Sequence, residues 1–176
     1  MPKSVTRTVR LDKDLDDAIQ RRAEEEKITV NFLVNRTVRK LVEWDIPARK
    51  FGLVIAPEGL LSTLIDRYDD ESCIELGRAS AREYIKPFAE YLYGEFSLET
   101  SILLFRRSSQ YGGRWEFDDV VDVADSRKHI LVFKHNQGHK WAKYYHGLMV
   151  ETFRILLGKD AKVESTDYVI IAQFDV

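Results

Sequence analysis

Apolar and polar positions alternate over residues 4–11, with Val5, Val9 and Leu11 on one side of an extended chain and Thr6, Thr8 and Arg10 on the other. A period of two in a Thr- and Val-rich segment predicts one short strand. The period then changes. Leu15, Ala18, Ile19 and Ala23 fall three and four apart, which predicts a helix over about residues 13–26 that buries a single narrow stripe. Asp12 offers a capping oxygen to its first amides, and Asp14, Asp16 and Asp17 suit the positive end of its dipole. Thr29 caps a second helix, in which Phe32, Leu33, Thr37, Val38, Leu41 and Val42 recur at helical spacing. Pro47 disfavours helix at Ile46, so residues 46–50 read as a linker.

The pattern beyond the linker is mixed. The apolar run 51–55 predicts a short strand, and Pro57 opens a helix through about residue 68 on Leu60, Leu61, Leu64 and Ile65. A longer helix covers residues 74–93, with Pro87 as a kink or break. Residues 97–108 fit helix or strand, with helix preferred. After Gly112-Gly113 comes a hairpin, strands over 115–123 and 129–135 about a turn at 124–127, in which Ile130-Leu131-Val132-Phe133 suits a buried strand. A helix over 140–157 stops at Gly158, and strands at Val163 and over 168–174 close the chain. The fold class is α+β: an N-terminal module, residues 1–46, followed by a larger α+β domain, residues 51–176, with an antiparallel sheet.

The N-terminal strand has no partner in its own module, and a lone strand leaves its backbone groups unanswered. A second copy supplies one, pairing the two strands antiparallel across a two-fold axis while four helices share a core. Thr6-Arg7-Thr8-Val9-Arg10-Leu11, then Leu15, Ile19 and Ala23, then Ile28-Thr29-Val30-Asn31 resemble the ribbon-helix-helix repressors of the Arc, CopG and MetJ type. The likeness runs without a gap over about residues 5–41. It implies a homodimer that lays a β-ribbon in the major groove of double-stranded DNA, where Arg bonds a guanine edge and Thr meets several edges. Carried over residue by residue, the base readers are Thr6, Thr8 and Arg10, with Arg7 and Lys3 on the backbone. Thr29, Val30 and Asn31, opening the second helix, clamp a phosphate. The family places Gly between the helices, at the position of Lys27, because that turn takes a left-handed residue. The role implied is a transcriptional repressor or other regulator. An antitoxin-like autorepressor that captures a partner protein is the alternative, although such proteins end in a tail that folds only on the partner.

Composition narrows the partners. The chain has 176 residues, 44% of them apolar and 32% charged, and a net charge of -2. That balance excludes a protein that coats nucleic acid indiscriminately but leaves room for a local reader. Residues 1–11 carry Lys3, Arg7 and Arg10 and no acid, whereas residues 12–17 carry four Asp against Lys13. No apolar run reaches bilayer length and none follows the N-terminus, so a cytoplasmic protein with no membrane partner is expected. The lone Cys73 fits a reducing compartment.

Candidate chemistry in the second domain centres on His135, His139 and His146. The last two share a helix face at a spacing of seven, and three imidazoles converging would make a zinc, nickel or copper site and a metal-responsive regulator. The competing reading has them cap a turn and pack. The order of helices, hairpin, helix and terminal strand also resembles the ligand-binding domains of the heme-nitric-oxide and vinyl-reductase-like group. That likeness implies a small-molecule effector; Tyr111, Trp115, Trp141, Tyr144 and Tyr145 would line the pocket or else form core. Oligomerisation is the other role open to this domain. Glu116, Asp118, Asp119 and Asp122 read as a solvated hairpin face, and without a nucleophile or phosphate loop an enzyme is not expected. DNA binding requires no cofactor.

Overall fold

A computed structural model describes residues 5–121, 128–158 and 161–175. It is an α+β chain that divides by its internal contacts into two units, Met1–Ile46 and Pro47–Val176.

The first unit is helical. Helix α1, Lys13–Glu25, is followed by α2, Val30–Lys40. Lys27, between them, has φ +55°, the left-handed conformation expected of that turn. Residues 5–12 carry neither helix nor strand. The predicted strand is therefore not formed in the single chain, since a strand acquires its ladder only from a neighbour. Asp12 precedes α1 as expected, yet its side chain makes no capping bond. The predicted buried stripe is also largely open: Ala23 and Leu33 are buried, whereas Leu15 and Ala18 are exposed.

The expected linker is instead part of a helix, α3, Ile46–Phe51. A wide turn at Leu41–Asp45, closed by the Ile46 amide on the Leu41 carbonyl, precedes Pro47. The wider π geometry relieves the clash between a proline ring and the preceding turn. The same device recurs. Helix α5, Asp70–Ser80, passes through a π turn at Ala81–Ile85 into α6, Lys86–Tyr93, so Pro87 does not break it. The strand expected over 51–55 is absent; Val54 and Ile55 lie exposed with no ladder to join.

In the second unit α4, Glu58–Ile65, starts after Pro57, and α7, Leu98–Arg107, opens on Ser97. The Ser97 side chain accepts from the Thr100 amide at 3.2 Å while the Thr100 hydroxyl accepts from the Ser97 amide at 2.9 Å, a reciprocal cap that decides the segment for helix. Strand β1, Glu116–Val121, pairs antiparallel with β2, Lys128–Lys134; the turn predicted at 124–127 lies outside the described residues. Helix α8, His139–Leu157, ends at Gly158 with φ +64°. Strands β3, Lys162–Ser165, and β4, Val169–Asp175, complete an antiparallel sheet of order β1-β2-β4-β3.

The core of this unit lies between one sheet face and the helices. Leu131 and Phe133 of β2 stand opposite Ala172 and Ile170 of β4 and pack with Phe105 of α7 and with Tyr145, Leu148, Met149 and Phe153 of α8. Helices α5 and α8 touch backbone to backbone. A methyl group on Gly77 would sit 2.0 Å from the Tyr144 carbonyl oxygen, and one on Gly147 2.0 Å from that of Ile74. Only glycine permits this approach. Glu151, buried on α8, is paired with Arg154 at 2.7 Å and Arg82 at 3.1 Å, so its charge is compensated. Among the described residues no helix is long and apolar enough to cross a membrane.

Candidate nucleic-acid interface

Thr6, Arg7, Thr8 and Arg10 are all exposed on residues 5–12, while Lys3 lies outside the described residues. Neither Arg7 nor Arg10 forms an ion pair among the described residues. Two of the four acids that follow are occupied within α1: Asp17 pairs with Lys13 at 2.5 Å and Asp16 accepts from Gln20 at 2.8 Å.

The second expected element, the start of α2, is built as its sequence predicts. The Thr29 side chain accepts from the Phe32 amide at 3.1 Å, and Val30 and Asn31 occupy the first two helical positions. Those two amides have no intrahelical acceptor in any α-helix, which is what makes such an end attractive to a phosphate. The Asn31 side-chain oxygen accepts from Asn35 at 3.0 Å. A group that the sequence pattern did not single out ties the two helices together. Glu26 receives Arg22 Nε at 2.6 Å and an Arg36 nitrogen at 2.7 Å. The Arg36 hydrogen bond foremost holds the Glu26 carboxyl below its ordinary range, with Arg22 adding to it. The Arg22–Glu26 spacing of four was legible as a helical pair; Arg36, ten residues away across the turn, was not.

The structure does not gather His135, His139 and His146 into a metal site. Among the described residues no group of three His, Cys, Asp or Glu side chains is arranged to hold a metal ion. Each imidazole has its own surroundings. His139 lies between Asp167 and Asp70, at 2.8 Å from each, and hydrogen bonds to Asp167 and then Asp70 raise its pKa. Asp70, held first by Lys140 and then by His139, is lowered to about 2. His135 is buried at the end of β2, and burial lowers its pKa. His146 Nδ1 meets the Ser165 hydroxyl at 3.3 Å; burial, then Lys143 and Arg78, lower its pKa.

The acidic hairpin face divides by strand alternation. Asp118 points outward to Lys134 at 3.2 Å, and Asp119 points to His129 at 3.3 Å, half-buried beside α7. Asp122 lies outside the described residues. Of the aromatic residues expected to line a pocket or form core, Tyr145 is core and Trp115 lines a cleft. No protein-family model, curated protein or solved structure matches this chain.

Proposed function

We propose that the chain is a homodimeric, sequence-specific DNA-binding regulator of the ribbon-helix-helix kind. The observation that carries this reading is the apolar surface of the first unit. Val9 of the alternating segment and Val38 of α2 are 73% and 52% exposed, and Leu15, Phe32, Leu41 and Val42 are exposed as well. A monomer with that much uncovered apolar surface in so short a module is poorly satisfied by water. A second copy covers it and gives residues 5–11 the strand partner they lack. The ribbon so formed presents Thr6, Thr8 and Arg10 on its outer side, with Arg7 and the α2 start at Thr29, Val30 and Asn31 on the phosphates. The left-handed Lys27 and the Thr29 cap agree with this reading.

The second unit is an effector-sensing or oligomerisation domain. Its own core favours that role over an antitoxin-like partner-capturing tail, and its separated histidines give a metal effector no support. Selection of bound sequences from random DNA by the purified full chain tests the proposal. Two related half-sites are expected, and Arg10→Ala should cost about 1–3 kcal/mol at one base pair in each. An unchanged sequence preference in that variant overturns the groove assignment.

A further inference from the structure

The cleft at the open end of the β1–β2 hairpin holds two hydrogen-bond donors that the fold leaves unanswered. It measures about 460 Å³, and its walls include Arg114, Trp115, Glu116, Lys134, His135 and Asn136. His135 is 8% exposed. The Gln137 amide donates to its Nδ1 at 3.4 Å. Since an amide nitrogen can only donate, Nδ1 carries the lone pair and the proton of the neutral ring sits on Nε2. That Nε2 is buried and has no hydrogen-bond partner, and the same holds for Nε1 of Trp115. Buried donors in native proteins almost always meet an acceptor, so two on residues that line one cleft call for an explanation.

The rings are held in place. His135 packs on the Tyr145 ring at 5.1 Å, and Trp115 packs on that same ring at 5.1 Å and on Phe133 at 6.0 Å. Both rings are thus fixed against the same Tyr145 ring. Arg114 adds charge. Its guanidinium lies 4.3 Å over Trp141, donates to the Tyr145 hydroxyl at 3.4 Å and bonds the Gln137 side-chain oxygen. All three partners are neutral, so among the described residues no carboxylate compensates it. Lys134 contributes a second cation, already shared with Asp118 at 3.2 Å, and Glu116 is the single opposing charge on the wall.

Donors, a guanidinium with no carboxylate partner among the described residues and a flat indole together select an anionic acceptor with a small apolar body. We propose that this cleft binds a small carboxylate-bearing molecule, whose oxygens accept from Nε2–H of His135 and Nε1–H of Trp115 beside the Arg114 guanidinium. This rests on reading the second unit as the effector-sensing domain and names the class of its effector.

Isothermal titration calorimetry of the full chain without DNA tests it, with acetate, benzoate, the neutral isostere benzamide and inorganic phosphate as probes. Benzoate should saturate one site per chain, with benzamide weaker by about tenfold or more. Trp115→Phe, which keeps an aromatic ring and removes the N–H, and His135→Phe should each weaken benzoate by about tenfold. Arg114→Gln should abolish the preference for benzoate over benzamide. Circular dichroism of each sample reports its fold, and Trp115→Phe decides if a harsher variant unfolds. The proposal is overturned if neither carboxylate gives a saturable isotherm, or if phosphate binds more tightly than both. It is equally overturned if folded Trp115→Phe and Arg114→Gln both bind benzoate as the parent chain does. Arg10→Ala should bind benzoate unchanged, so a failure of the DNA reading and a failure of this site give different results.

Discussion

The two units solve the burial problem differently. Among the described residues of Met1–Ile46 only Ala23 and Leu33 are buried, and apolar residues of both helices face outward. In Pro47–Val176 a sheet face and its helices close over Phe105, Phe133 and Phe153, each at 1% exposure or less. The second unit has inside its own chain what a folded domain needs. The first has regular helices, a cap and a cross-turn ion pair, but not enough buried area to offset the entropy of ordering them. Local structure can therefore be complete where tertiary structure is not, and the proposed second copy is what would supply the missing half of the first unit.

The largest effect that separates the two belongs to the second unit. Phe153 is fully buried, with its ring 4.7 Å from Phe174, and Phe153→Ala should cost about 3–5 kcal/mol. Denaturant unfolding should show that loss at every protein concentration, because nothing outside the chain contributes to the site. Val38→Ala gives the contrast. At 52% exposure a monomer would scarcely register it, whereas a covered α2 face should lose about 2 kcal/mol. The loss should grow on dilution, and sedimentation should show fewer dimers. A concentration-independent, near-zero effect would remove the need for a second copy.

Lys27 probes the first unit on a smaller scale. A side chain at φ +55° costs energy that glycine avoids, although glycine also frees the unfolded chain. Lys27→Gly should stabilise by about 0.5–1 kcal/mol. A destabilised variant would mean that the lysine side chain contributes more than its backbone costs.

What could be read from the sequence follows the range of the interactions. The start of α1 at Lys13, the Thr29 cap, the stop at Gly158 and the β1–β2 pairing are set by residues a few positions apart, and all appear as expected. The errors at 46–50 and 51–55 have a different origin. Whether Pro47 ends a helix depends on whether the preceding turn can widen, and whether an apolar run becomes a strand depends on a neighbour, neither of which is local. The same limit governs the sites. Thr6, Thr8 and Arg10 could be singled out by alternation, but the ribbon they would form needs a second chain. Asp70 reaches His139 from 69 residues away, so a histidine that read as a metal ligand is in fact held between carboxylates. Arg114 and Gln137 carried no pattern at all.

The smallest predicted effect concerns pH, and it should be confined to the second unit. His139 is raised by Asp167 and Asp70, so its contribution is complete below the ordinary imidazole value of about 6.5 and is lost as pH rises through the raised value. His135 and His146 are lowered by burial, so theirs is complete above about 6.5 and lost as pH falls. The two arms oppose, and melting temperature should be greatest near that value. His139→Gln should flatten the alkaline arm and leave the acid arm, whereas His146→Gln should leave the alkaline arm and reduce the acid arm to the share that His135 contributes. The first unit has no histidine, and its Glu26 pair, held low by Arg36, stays charged throughout this range. Dimerisation should therefore not change between pH 6 and 8 while the stability of the second unit does. An alkaline arm that survives His139→Gln would show that the Asp70–His139–Asp167 contact does not couple α8 to its neighbours, leaving their packing to the apolar core and the Gly77 and Gly147 contacts.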